Sequence, residues 1–135
     1  MEAFQAYSHA LASLALWAIL VPILGMQSTR GRSAENRCAC GKPHRNYADP
    51  VYRSERAFMN AVETSGPFIA ALMAAILTGA SPFWVNLFAS VFILARVGMA
   101  VAHIKTENQA LRSAGFATGL LCVLALAVLG LVAAF

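Results

Sequence analysis

Between Ala57 and Ala80 the chain carries a single ionisable side chain, Glu63, set among Ala, Ile, Leu, Met and Phe. Such a stretch is long enough to cross a bilayer, which takes roughly 20 apolar residues. Helices and closed barrels are the structures that cross, because every backbone polar group must be satisfied within the protein. A charged segment, Arg53-Ser-Glu-Arg56, runs into this stretch without a break. Arg56, Asn60 and Glu63 stand at i, i+4 and i+7, so a helix places all three on one face. At about 1.5 Å per residue, Glu63 lies roughly 10 Å deeper than Arg56. A carboxylate at that depth is costly unless it meets a partner or a wet cavity, so it marks a candidate functional site.

The rest of the chain repeats the apolar pattern. Of its 135 residues, 59% are hydrophobic and 12% charged, against about a quarter charged in a soluble domain. No separate soluble domain fits beside four spans. The expected fold is an all-α integral membrane protein, a bundle of four transmembrane helices. Their expected ranges are 4–26, 53–79, 82–105 and 108–134, with a polar loop over 27–52, forming one domain over 1–135. Pro22 and Gly66-Pro67 are expected to bend the first and second helices. Gly79-Ala-Ser-Pro82 is a sharp turn in which Ser81 can cap the third helix and Pro82 can start it. So short a link makes the second and third helices antiparallel neighbours. Gly115 and Gly119, four apart, allow close helix contact. His9 is expected to be solvated near an interface. No cleaved signal peptide is expected, since no Lys or Arg precedes the first apolar segment.

The positive charges give a topology. Arg30, Arg32, Arg37, Lys42, Arg45, Arg53 and Arg56 lie in the loop and at the foot of the second helix. Arg96, Lys105 and Arg112 lie around the link between the third and fourth helices. All ten fall on one side of a four-span fold. The positive-inside rule makes that side the cytoplasm and sends both termini to the other side. A bacterial inner membrane is the expected location.

The polar intramembrane residues lie toward the same side. The second helix supplies Arg53, Arg56, Asn60 and Glu63, the third supplies Arg96 and His103, and the fourth supplies Arg112 and Ser113. Antiparallel packing brings these groups to similar depth. They would form a basic cavity holding one carboxylate and open to the cytoplasm. A small, multiply anionic molecule with an amine for Glu63 would suit it, because the planar arginine fork bonds carboxylates bidentately. The alternative is a network in which the same charges pair among themselves and brace the bundle. Spacing alone leaves both open.

Arg56-Ala-x-x-Asn60-x-x-Glu63-x-x-x-Pro67-Phe68 resembles the signature of the MAPEG family, membrane-associated proteins in eicosanoid and glutathione metabolism. The resemblance continues in Ala95-Arg96-Val97 and Leu111-Arg112-Ser113, and covers the chain from about Val51 to its end. It implies a homotrimer of four-helix subunits that binds glutathione between neighbours, in the cytoplasm-facing half. By that resemblance Arg56, Asn60 and Glu63 hold the glutathione backbone, with Glu63 on its α-ammonium. Arg53 and Arg96 meet carboxylates or line the site. Arg112, with Ser113 beside it, stands by the sulfur and favours the thiolate, which is the nucleophile. The implied function is a glutathione transferase or peroxidase-type enzyme acting on a lipophilic electrophile that arrives from the bilayer. The alternative is a non-catalytic family member that binds membrane lipid or a membrane partner. His103 takes the place of a family tyrosine and changes charge near neutral pH when unperturbed. Met59 and Met99 stand where the prostaglandin-synthase branch has polar or basic residues, which argues against that isomerase activity.

The loop holds Cys38-Ala-Cys40-Gly-Lys-Pro-His44. Two thiols and an imidazole fall short of the four ligands of a structural zinc site, so no metal is expected. A flexible, reduced loop is expected instead, because the cytoplasm disfavours disulfides. The basic loop can attract anionic lipid headgroups. No nucleic-acid partner is expected, as no recognition module accompanies the basic residues. No inverted repeat or broken-helix pair suggests a transporter.

Overall fold

A computed structural model describes residues 2–135. A single turn, α1 (Glu2–Gln5), is followed by four long helices: α2 (Ser8–Thr29), α3 (Pro50–Leu77), α4 (Pro82–Lys105) and α5 (Gln109–Ala133). Each of the four is long and apolar enough to cross a membrane. Both Pro22 and Pro67 lie inside their helices, and neither interrupts its helix.

The boundaries shift for local reasons. α2 starts at Ser8 rather than at residue 4. The chain turns at Tyr7, whose hydroxyl donates to Ala80 O at 2.6 Å. Asn86 of α4 fixes the same turn: its amide donates to Ala6 O at 2.7 Å, and its Oδ1 accepts from Ala10 N–H at 2.9 Å. α3 starts at Pro50, three residues before the expected Arg53. Asp49 caps it by accepting from Val51 N–H at 2.8 Å, and Pro50 occupies the first helical turn, where its missing N–H costs nothing. Pro82 opens α4 as expected, but the Ser81 side chain makes no capping hydrogen bond. Asn108 caps α5 through Leu111 N–H at 3.2 Å.

Aromatic rings fill the middle of the bundle. Phe68 and Phe92 stack with centroids 3.8 Å apart, and Trp17 meets Phe92 edge-on at 5.1 Å. Trp17 Nε1 donates to Ser65 Oγ at 3.0 Å, which satisfies the one polar atom of a buried indole. Glycines on α5 let helices approach within the chain. A Cβ at Gly130 would stand 2.9 Å from Ala75 N, and one at Gly115 would stand 2.8 Å from Met99 Cβ. Outward-facing Leu94, Leu121 and Val132 are exposed, which suits a lipid-facing surface.

The two basic links meet at one end of the bundle. Arg53 Nη1 donates to Tyr47 O and Ala48 O at 2.7 and 3.0 Å, and lies 3.6 Å from Glu107 Oε1. The loop between α2 and α3 is built rather than loose, which corrects the expectation of a flexible segment. Buried Glu55 pairs with Arg32 and lies 3.5 Å from Lys42 Nζ, so the loop is pinned to α3 by charge. Cys38 and Cys40 are joined by a disulfide, which corrects the expectation of a reduced pair. The physical reason is a tight turn: Cys38 N–H donates to Lys42 O, and Gly41 N–H donates to Cys38 O, each at 2.9 Å.

Candidate functional site

A cleft of about 500 Å³ opens at the end of the bundle where the basic links meet. Five of the side chains singled out from sequence line it: Arg56 and Asn60 from α3, His103 from α4, and Arg112 and Ser113 from α5. The α-helical repeat explains the convergence. Arg56 and Asn60 are one turn apart on α3, and the short α4–α5 link brings His103 and Arg112 face to face.

The remaining three stand elsewhere. Arg53 lies behind the cleft, spent on the Tyr47 and Ala48 carbonyls and on Glu107. Arg96 is buried at 2% exposure between α3, α4 and α5. Its Nη1 donates to Asn60 Oδ1 at 2.8 Å and contacts Met99 Sδ at 3.4 Å. Its guanidinium lies 5.3 and 5.4 Å from the Phe92 and Phe116 ring centres. A Cβ at Gly119 would stand 2.8 Å from Arg96 Nε, so that glycine makes the space the guanidinium occupies. Arg96 therefore orients Asn60 toward the cleft from behind. Glu63 is exposed on the outer surface of α3 and does not line the cleft.

The cleft wall holds polar atoms without partners. Arg112 Nη1 and His103 Nδ1 are buried and make no hydrogen bond among the described residues. An unsatisfied buried polar group costs about 1–3 kcal/mol, so a ligand that meets it recovers that energy. The Arg112 guanidinium is held from one side by the Tyr47 ring, 4.3 Å from its centre. That contact fixes the position of the cation at the cleft, which Arg112 lines.

Tyr47, Glu107, Gln109 and Phe116 also line the cleft, and sequence reasoning missed all four. Tyr47 had no helical register to place it. Glu107 and Gln109 had a signal, since they stand in the α4–α5 link and at the start of α5, within five residues of Arg112. Glu55 was missed as well: its burial is invisible until Arg32 and Lys42 fold back on it. Among the described residues no three His, Cys, Asp or Glu side chains are grouped to hold a metal ion.

Met99 belongs to two surfaces. It lines the polar cleft and also an apolar groove of about 420 Å³ between α4 and α5, with Leu94, Gly98, Leu111, Gly115 and Thr118. A charged pocket and a membrane-facing apolar groove thus share one flexible side chain as a wall.

Fold and site together define a four-helix integral membrane protein with an arginine-lined polar cleft at one end of its bundle. The MAPEG family model matches residues 7–132, nearly the whole chain, and the protein belongs to the MAPEG family, membrane proteins of glutathione and eicosanoid metabolism. No curated individual protein matches the sequence.

Proposed function

We propose that the protein is a membrane-embedded glutathione transferase or peroxidase-type enzyme that activates the glutathione thiolate toward lipophilic electrophiles. The observation that carries this reading is that Arg112, Ser113 and His103 line one polar cleft, with Arg112 Nη1 and His103 Nδ1 buried at its edge without hydrogen-bond partners among the described residues. A cation fixed by the Tyr47 ring favours a thiolate over a thiol. Lowering a thiol pKa by two units requires about 2.7 kcal/mol, within reach of one partly desolvated guanidinium. Arg56 and Asn60 offer a fork and an amide to the carboxylate and peptide groups of the tripeptide. His103 supplies the hydrogen bond that the family tyrosine supplies elsewhere.

The electrophile reaches the sulfur along the α4–α5 groove and passes Met99, so the lipid never has to enter the charged mouth. Conjugation then needs little beyond thiolate stabilisation and positioning. Glu63 takes the glutathione α-ammonium across an interface between copies in a homotrimer. The basic end faces the cytoplasm of a bacterial inner membrane, and both termini face the opposite side.

The test is thiolate formation. Protein in detergent is mixed with glutathione near neutral pH, and the ultraviolet absorbance of the thiolate is followed. Wild type gives the signal, Arg112→Ala loses it, and Glu63→Gln needs more glutathione to reach it. No thiolate signal at saturating glutathione would overturn the transferase reading and leave a cleft that binds another anion.

A further inference from the structure

We infer that Cys38 and Cys40 form a second thiol site, separate from the cleft, which exchanges with low-molecular-weight thiols and disulfides. The cleft does not use this pair, and the inference does not rest on the transferase reading.

Three observations carry it. The first is access: Cys40 is exposed while Cys38 is half-buried, so Cys40 is the more open residue of the pair to an incoming thiolate. Cys122, by contrast, is buried at 4% exposure inside the bundle. The second is a scaffold that does not need the sulfur bond. Cys38 N–H to Lys42 O, Gly41 N–H to Cys38 O and His44 N–H to Asn36 O close the turn by backbone hydrogen bonds. Arg32 Nη1 holds Gly41 O at 3.2 Å, and Glu55 holds Arg32 and Lys42. With the turn fixed and the two Cα atoms 5.2 Å apart, an opened pair stays poised to close again.

The third is charge. Arg30, Arg32, Arg37, Lys42 and Arg45 surround the pair in sequence, against Glu35 in the loop and Glu55, which pairs with Arg32 and lies 3.5 Å from Lys42 Nζ, so the surround stays cationic. A cationic surround draws in an anionic thiol and stabilises a departing thiolate. A cleft of about 430 Å³, lined by Ala34, Arg37, Cys38, Ala39 and Gly41, lies on the Cys38 side of the pair and leaves the Cys40 side clear of it.

The chemistry balances without a further reactant. A thiolate RS⁻ attacks Cys40 Sγ, and the Cys38–Cys40 bond breaks. Cys38 Sγ leaves with the electron pair and takes a proton from water. A second RS⁻ attacks the outer sulfur of the mixed disulfide, releasing RSSR and the Cys40 thiolate. Two small thiols are oxidised and one protein disulfide is reduced. The reverse direction closes the pair at the expense of RSSR.

The experiment uses the full chain in detergent, with glutathione as probe. Wild type is equilibrated across ratios of reduced to oxidised glutathione, quenched with acid and alkylated, and the state of each cysteine is mapped by mass spectrometry. Cys38→Ser and Cys40→Ser are incubated with oxidised glutathione alongside. The expected result is a pair that passes from disulfide to dithiol across the series. In Cys38→Ser, Cys40 gains a mixed disulfide roughly tenfold faster than Cys38 does in Cys40→Ser, following their exposure. Arg112→Ala exchanges as wild type does, which separates this site from the cleft. A pair that keeps one state across the whole series would overturn the inference. So would a Cys38→Ser protein whose Cys40 is modified no faster than buried Cys122.

Discussion

The front and the back of the cleft use the same side chains for opposite purposes. Behind it, Arg96 is spent on Asn60, Met99 and two aromatic rings, and Arg53 on two carbonyls and Glu107. In front, Arg112 has a ring at its back and a donor with no partner. Residue type and membrane depth do not separate these arginines. Whether the guanidinium donates to a protein acceptor does: Arg96 and Arg53 do, although Arg96 Nε and Nη2 and Arg53 Nε stay unpaired, and Arg112 donates to none among the described residues. A buried cation with committed partners braces helices, and removing it leaves those partners stranded. A cation fixed from one side and open on the other is available to an anion.

Substitutions that exchange stability against binding can break this division. Arg96→Ala is expected to have the largest effect on stability. It opens a void between three helices and strands Asn60 Oδ1, at a cost of about 2–4 kcal/mol. Arg112→Ala is expected to cost under about 1 kcal/mol while abolishing the thiolate signal. Thermal aggregation in detergent ranks the two. Equal losses of stability would collapse the distinction between front and back.

Gly119→Ala comes next. Its new methyl would press on Arg96 Nε from 2.8 Å, and overpacking typically costs about 1–3 kcal/mol. The guanidinium would then shift against Asn60 and weaken glutathione binding without touching any cleft residue. Unchanged affinity, read from the glutathione dependence of the thiolate signal, would remove Arg96 from the positioning of Asn60. Glu55→Gln is milder, at about 1–2 kcal/mol, because Arg32 and Lys42 are partly exposed and regain water. Its sharper readout is proteolysis: the loop over residues 30–49 becomes cleavable while the helices survive. A loop as resistant as wild type would show that charge does not pin it.

Much of this was legible because helical periods are rigid. Arg56, Asn60, His103, Arg112 and Ser113 were placed by spacing and antiparallel order, and the structure brings all five to one cleft. Spacing failed where a residue's direction depended on tertiary partners. Arg96 shares the third helix with His103 but turns into the gap above Gly119. Arg53 lies in the first turn of α3 and reaches back to the loop carbonyls instead. The loop was least legible. Its order comes from Glu55, Arg32 and the Cys38–Lys42 turn, contacts between residues with no periodic relation. The helix starts at Ser8 and Pro50 were displaced by a few polar contacts, from Tyr7, Asn86 and Asp49, which apolar patterning does not register.

Glu63 is the case that neither side of the comparison absorbs. It shares a helix face with Arg56 and Asn60 by register, yet it is exposed on the outside of α3 at a depth where lipid would surround it. A carboxylate is costly against acyl chains, and the neighbouring copy proposed above would cover this surface of α3. A neighbouring copy that completes the cleft satisfies both the charge and the ligand. Glu63→Gln is therefore expected to raise the glutathione concentration needed for half-maximal thiolate signal. Crosslinking of a cysteine placed at Val62, in a background with Cys38, Cys40 and Cys122 all changed to Ser, reads the same surface directly. A product containing two copies, formed by wild type and Glu63→Gln alike, puts this face of α3 against its counterpart. An unaltered glutathione requirement with no crosslink would leave Glu63 facing lipid headgroups or water, and the cleft would then have to bind its anion with the residues of one chain alone.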